Sequence, residues 1–204
     1  ASNNRIKAGT YGRGLWQSDL ASVSVIDPTN FTATAAGPSQ IDLAWTKNAA
    51  DNDVLIATSS TSTFGVPADG TAYTSGNTLP SGGGTVIYVG TASAFNHTGL
   101  TSGTTYYYKI WSVNGSNQYS AGLPPINATT YSHSWIGTIS TNWFTPGNWG
   151  TNTVPTSTDN VYIPAGTTYM PEISASGATC ANIIIESGAS LTMNSSTAYT
   201  LSVS

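Results

Sequence analysis

The 204 residues carry five Lys and Arg against nine Asp and Glu, a net charge of −4 with no basic stripe, which argues against nucleic acid as a partner because nothing would neutralise its phosphates. No run approaches the roughly 20 apolar residues needed for a membrane span, and one cysteine, Cys180, leaves no internal disulfide framework or cysteine-rich metal site. Only 7 % of the residues are charged, against roughly 25 % in ordinary globular domains, so Ser, Thr, Asn and Gly cover a surface of a kind commoner outside cells than inside.

In chain order, residues 1–26 read as an alternating strand at Arg5-Ile6-Lys7-Ala8, a Gly-rich turn over Gly9–Gly14 and a short tail at Leu15–Leu20, a unit too small to fold alone. The opening Ala-Ser-Asn-Asn-Arg lacks the charged and apolar regions of a signal peptide, so for a secreted protein the signal is expected upstream. The phrase Ala8-Gly-Thr-Tyr-Gly-Arg-Gly-Leu-Trp16 resembles the closing strand of a repeat in secreted β-propellers of the sialidase-repeat and sortilin-like kind. That resemblance spans about a dozen residues and implies a propeller, catalytic in some such proteins, ahead of this chain.

Residues 27–131 alternate with period two. Phe31 and Ala33, then Ile41, Leu43 and Trp45, predict two strands separated by a turn at Gly37-Pro38-Ser39. Asp53–Thr58 and Val86–Val89 supply two more, on either side of a polar Gly/Ser/Pro-rich excursion over residues 59–85. Ala94–Leu100, the Tyr-rich run through Val113 and the segment 126–130 complete seven. In the Tyr-rich run, Tyr106, Tyr108, Ile110 and Ser112 share one face, and Tyr107, Lys109, Trp111 and Val113 the other, where Trp111 is expected to pack between strands. Seven short strands with turn-rich connections and no helical periodicity predict a β-sandwich.

The residues Pro28-x-x-Phe31-x-Ala33, Leu43-x-Trp45 and Leu100-x-x-Gly103-Thr-x-Tyr106-x-Tyr108-x-Ile110 together resemble a fibronectin type III domain. The resemblance implies that Trp45 sits at the centre of the core with Leu43 and Leu100, and that Tyr106 makes a tyrosine corner, its hydroxyl returning to nearby backbone. Asp69-Gly-Thr-x-Tyr73, Val86-x-Tyr88-x-Gly90-Thr91 and Phe95-x-His97-Thr-Gly-Leu100 are similar to versions in large secreted proteins of Bacteroidetes bacteria. The long 59–85 insertion departs from the family pattern, and with no Arg-Gly-Asp tripeptide, adhesion through integrins is not implied.

Residues 132–204 change character. Trp135, Trp143 and Trp149 arrive close together, followed by short β-type runs at 161–163, 183–185, 191–193 and 199–203 between Gly and Ser turns. A strand and turn every ten to twenty residues predicts either the first coils of a β-solenoid or a second small sandwich. Asn182-Ile-Ile-Ile-Glu-Ser-Gly-Ala-Ser-Leu191 resembles the rungs of bacterial surface β-helix proteins. The fold class is therefore all-β, a fibronectin type III-like sandwich followed by a small β-rich domain.

Candidate chemistry is sparse. His97 and His133 stand alone in sequence, no Gly-x-Ser-x-Gly elbow occurs, and no catalytic residue, metal site or cofactor is assigned. Asn48, Asp51, Asn52 and Asp53 are set to terminate a turn through side-chain to backbone bonds, with calcium as the competing use. Trp143 and Trp149, flanking Pro146-Gly147, are read first as an apolar cap on the last domain, where burying each ring is worth about 2–3 kcal/mol, and second as ligand candidates forming a sugar-stacking platform. Cys180 reads as a buried small apolar side chain. Five Asn-x-Ser/Thr sequons, at Asn30, Asn96, Asn114, Asn127 and Asn194, are potential glycan sites in a eukaryotic setting and chance occurrences in a bacterial one.

The function expected first is a non-catalytic spacer region of a secreted or cell-surface bacterial protein, its partners being neighbouring domains of a longer chain and, beyond them, polysaccharide or other surface proteins. In the proteins it resembles, such regions precede a C-terminal signal read by the type IX secretion system. The alternatives are a carbohydrate-binding or adhesive module, an accessory part of a polysaccharide-degrading enzyme whose catalytic domain lies upstream, and a filament or surface-layer subunit assembled through β-edges short of Lys gatekeepers.

Overall fold

The computed structural model describes residues 5–9, 15–19, 24–194 and 198–204, the first two segments as backbone strands. These are β1, Arg5–Gly9, and β2, Leu15–Asp19, paired antiparallel with Arg5 opposite Asp19 and Gly9 opposite Leu15. The stretch expected as a tail is thus the second strand of a hairpin. Residues 10–14, the rest of the expected turn, lie outside the described residues.

The alternating apolar residues of the next hundred positions close into two sheets. β3 (Thr29–Ala35), β4 (Gln40–Thr46), β5 (Asp53–Ser59), β6 (Thr85–Gly90), β7 (Ala94–Thr98), β8 (Thr105–Val113) and β9 (Ile126–Thr129) order as β3-β4-β7 and β6-β5-β8-β9. All neighbouring pairs are antiparallel. This is the three-plus-four sandwich implied by the fibronectin type III resemblance. Phe31, Ile41, Leu43 and Trp45 of one sheet meet Val54, Ile56, Tyr108 and Ile110 of the other, every one buried. Period-two alternation places these residues on the inner faces, and their burial is the main force holding the sheets together.

His97, on β7, lies within this aromatic packing. Its Nδ1 shares a 3.0 Å hydrogen bond with the Tyr108 hydroxyl, and its ring is surrounded by Phe95, Tyr106 and Tyr108. Burial lowers the imidazole pKa; burial and the neighbouring Tyr106 push the Tyr108 phenol far up. A folded-state pKa below the unfolded value of about 6.5 means that the unfolded chain takes up the proton first on acidification. Stability is therefore expected to fall as pH drops from about 6.5 through the folded pKa. Urea unfolding at pH 7.5 and pH 5 should show a larger loss for the native chain than for His97→Gln; equal losses would show that His97 does not carry the effect.

The 59–85 excursion is not a solvated loop. It folds back over the outer face of the four-stranded sheet, where Phe64, Tyr73 and Leu79 pack with Leu55, Ala57, Val86 and Trp111 in a second core. Backbone hydrogen bonds from Gly65 to Gly83, Leu79 to Gly84 and Val86 to Asn77 hold it in place. Trp111, expected between strands, instead lies beneath this cover, fully buried. Gly122 makes room for it: a Cβ there would stand 2.4 Å from the Trp111 Nε1, and the residue has φ +79°.

After β9 the pairing switches from antiparallel to parallel. β10 (His133–Ser134), β11 (Asn160–Ile163) and β14 (Asn182–Ile185) stack as one sheet; β12 (Glu172–Ile173) pairs with β15 (Thr192–Met193), and β13 (Ala178–Cys180) with β16 (Leu201–Val203). Asn160 faces Asn182, Glu172 faces Thr192 and Ala178 faces Leu201, offsets of 22, 20 and 23 residues. A small antiparallel sandwich cannot produce these pairs. This is the start of a three-sided β-solenoid with a coil somewhat longer than the ten to twenty residues expected. Each coil stacks its apolar side chains on those of the next: Val161, Ile163, Ile173, Ala178 and Cys180 form a dry interior. Among the described residues no helix is long and apolar enough to cross a membrane.

Candidate functional site

Trp143 and Trp149 are 0 % and 1 % exposed, which agrees with the apolar cap and corrects their candidacy as a sugar platform: neither ring has a face free for a ligand to stack on. The chain leaving β10 loops through a 3₁₀ turn at Pro146–Asn148 and returns so that Trp135 and Trp149 bridge. Trp149 then stands edge-on to both other indoles, 4.7 Å from Trp143 and 5.0 Å from Trp135 between centroids. Its Nε1 donates to the Trp143 carbonyl and that of Trp135 to the Tyr169 carbonyl. Asn148, fully buried, ties the loop together: its Oδ1 accepts from the Ile139 and Ser140 amides and its Nδ2 donates to Ser140 Oγ and the Asn142 carbonyl. Together these residues close the first coil over the solenoid interior.

In the sandwich, Leu43 and Trp45 are buried, and Leu100 is half-buried against the same cluster. The Tyr106 hydroxyl accepts from the Thr101 amide at 2.9 Å, across the turn that leads into β8. Cys180 is buried in the solenoid, and burial raises its thiol pKa, away from the reactive thiolate.

The sandwich joins the solenoid without a flexible linker. Three residues separate β9 from β10, and each is engaged. Thr130 Oγ1 donates to the Thr101 carbonyl. The Tyr131 amide donates to Gly37 while its ring meets Tyr162, and the Ser132 amide donates to Asn160. At this joint His133, separated in sequence from every other candidate, meets Asp159: its Nδ1 is 3.4 Å from Asp159 Oδ1 and 3.2 Å from Ser132 Oγ, and its Nε2 is 3.1 Å from Thr153 Oγ1. Burial raises the Asp159 pKa, but hydrogen bonds from the Thr156 hydroxyl and amide and from Ser132, together with the electrostatic pull of the His133 ring, outweigh it and leave the carboxyl below its usual value. A hydroxyl, an imidazole and a carboxylate in sequence resemble a hydrolytic relay, yet the His133 ring is buried within the joint. Its role is to fasten the joint.

A surface cleft of about 380 Å³ opens at the edge of the four-stranded sheet where β8 ends. Asp51, Asn52 and Asp53 approach it from the turn before β5, and Val89 from β6. Val113, Asn114, Asn117 and Tyr119 come from the end of β8 and the turn after it, and Tyr73 from the insertion. The turn before β5 forms as expected from its Asn and Asp residues: Asn48 Oδ1 accepts from the Asn52 amide, Asn48 Nδ2 donates to Asn52 Oδ1, and Asp51 has φ +53°. Lys47 pairs with Asp51 at 2.8 Å. The insertion fixes the opposite wall, because Asp69 accepts from the Tyr119 amide, the Tyr119 hydroxyl donates to Thr71, and the Gly70 amide donates to Asn117. Among the described residues no three His, Cys, Asp or Glu side chains gather as metal ligands.

Residues 134–203 match the profile of a family described as a domain of unknown function (DUF8693). No curated protein matches the chain. The solved structures to which it is similar include the fibronectin type III domain of human fibronectin type III domain containing protein 3, at 19 % identity over 55 % of this chain and 92 % of that one with a TM-score of 0.39. A Fn3-like protein from Clostridium thermocellum matches at 20 % identity over 52 % and 92 % with a TM-score of 0.38. The FN5 domain of Drosophila Lar matches at 17 % over 52 % and 96 % with a TM-score of 0.34.

Proposed function

We propose that the chain is a non-catalytic structural region of a secreted or surface-exposed bacterial protein, in which the sandwich and the solenoid form one rigid spacer that orients neighbouring domains. The observation that supports this reading is the joint: three residues, Thr130, Tyr131 and Ser132, are each hydrogen-bonded to one half or the other. The low charge and the surface rich in Ser, Thr and Asn suit an extracellular setting. Export by a type IX system and attachment to polysaccharide or surface proteins belong to the same reading. A fixed joint transmits orientation, whereas a flexible linker of equal length would let the two halves diffuse apart.

Rigidity makes a direct prediction. In ¹⁵N relaxation measurements on the full chain, amides of residues 29–129 and 160–194 should report one rotational correlation time, and inserting Gly-Ser-Gly-Ser after Ser132 should split it into two. Two correlation times in the uninterrupted chain would refute the spacer.

A further inference from the structure

The cleft formed by Asp53, Asn117, Tyr73 and Val89 lies away from the joint, at the margin of the core that Tyr73 shares with Trp111, and its polar groups are not all used. Among the described residues the Asp53 carboxylate takes part in no hydrogen bond or ion pair, and the Asn117 side-chain amide and Asn52 Nδ2 donate to nothing, although the surrounding Asn48, Asn114 and Asp69 side chains are all engaged in holding the walls. Two tyrosines stand beside them, Tyr73 edge-on to Tyr119 at 5.8 Å, and Val113 and Val89 add aliphatic surface. From this arrangement we infer that the cleft binds a neutral pyranose sugar, at a site that uses neither Trp143 nor Trp149.

The chemistry of the lining selects that class. An unpaired carboxylate accepts hydrogen bonds from two adjacent hydroxyls, carboxamides both donate and accept, and an aromatic or aliphatic surface takes the C–H face of the ring. A sugar presents all three needs at once. A phosphate or carboxylate ligand is disfavoured by Asp53 with no free cation beside it among the described residues, since Lys47 is held by Asp51. That same pair leaves one unmatched carboxylate among amides rather than an anionic wall, a poor site for a cation that must shed its water. A volume of about 380 Å³ lies within the roughly 300–1,000 Å³ of small-ligand sites. The walls are preorganised by the insertion, which lowers the ordering cost of binding.

The test is an NMR titration of the full ¹⁵N-labelled chain with xylohexaose, cellohexaose, laminarihexaose and mannohexaose in turn, and with N-acetyl-arginine amide as a cationic probe. At least one hexaose should give saturable shifts centred on the amides of 51–53, 89 and 113–119. Asp53→Asn and Asn117→Gly should each weaken binding by about tenfold through loss of a hydrogen bond to a charged or desolvated group. Asn117 has φ +56°, so glycine preserves its backbone, and an unchanged thermal midpoint will show that the fold is intact. The inference is overturned by shifts absent or lying elsewhere, by binding undiminished in both variants, or by a response to the arginine probe alone. Each of these outcomes leaves the rigid-spacer reading untouched, since that reading is decided by tumbling.

Discussion

Trp149→Ala is expected to unfold the solenoid while the sandwich stays folded. The indole is 1 % exposed, edge-on to both Trp143 and Trp135, and donates from Nε1 to the Trp143 carbonyl at 2.8 Å. Truncation would leave a cavity at the centre of the first coil, strand that carbonyl away from water and remove two ring pairs. Trp→Ala at a buried site costs about 3–5 kcal/mol, and solenoid coils draw their stability from their neighbours. Against a total of about 5–15 kcal/mol for a domain, the loss is a large part of the margin. The sandwich has its own core, from Phe31 to Ile110, and the solenoid another around Trp135, Ile163 and Ile173. Native-state hydrogen exchange should show protection collapsing across residues 133–203 and persisting in β4, β5 and β8. Loss of protection in both halves together would mean that the two cores fold as one unit.

Trp111→Ala is expected to release the insertion. Trp111 is the floor on which residues 60–84 rest: its ring is fully buried, 6.4 Å from Phe64, with Gly122 against its Nε1 and the Lys109 ammonium 5.2 Å from the ring centroid. Removing it costs about 3–5 kcal/mol by the same reasoning, but the void opens on the outer face of the sheet, away from Trp45 and Ile56. The sandwich core should survive, and the freed segment should become a protease site. Brief digestion with proteinase K followed by mass spectrometry should give new cuts between Ser60 and Gly84 in the variant only. An insertion as resistant as in the native chain would show that its own bonds, Gly65 to Gly83 and Leu79 to Gly84, suffice to hold it. Because Tyr73 belongs to this segment, the variant should also lose the insertion wall of the cleft.

Both variants bear on features that the linear order of residues disclosed only in part. Trp143 and Trp149 flank a Pro-Gly pair, a pattern that favours a buried cap without excluding an exposed platform. Closure of the loop by Asn148 decides for burial, and no local pattern announces an asparagine whose side chain makes four hydrogen bonds. Trp111 carried a signal that could have been followed: a large indole on the face of β8 opposite the core residues Tyr108 and Ile110 requires a cover. Its cover consists of Phe64, Tyr73 and Leu79, spread without period through Gly- and Pro-rich chain.

What the sequence determined by itself is whatever repeats at short range. Ile41-Leu43-Trp45 and Tyr106-Tyr108-Ile110 specify strands and their buried faces because a strand exposes alternate residues to opposite sides whatever else it touches, and the Asn48–Asp53 turn follows from side chains bonding backbone a few residues away. Only the tertiary structure decided the rest. It wound the last seventy residues into parallel coils rather than a second sandwich, brought His133 beside Asp159, and set Tyr73 and Asp53 beside Asn117. These contacts join segments tens of residues apart, and their partners are chosen by the competition of whole surfaces for burial, a choice that leaves no period in the sequence.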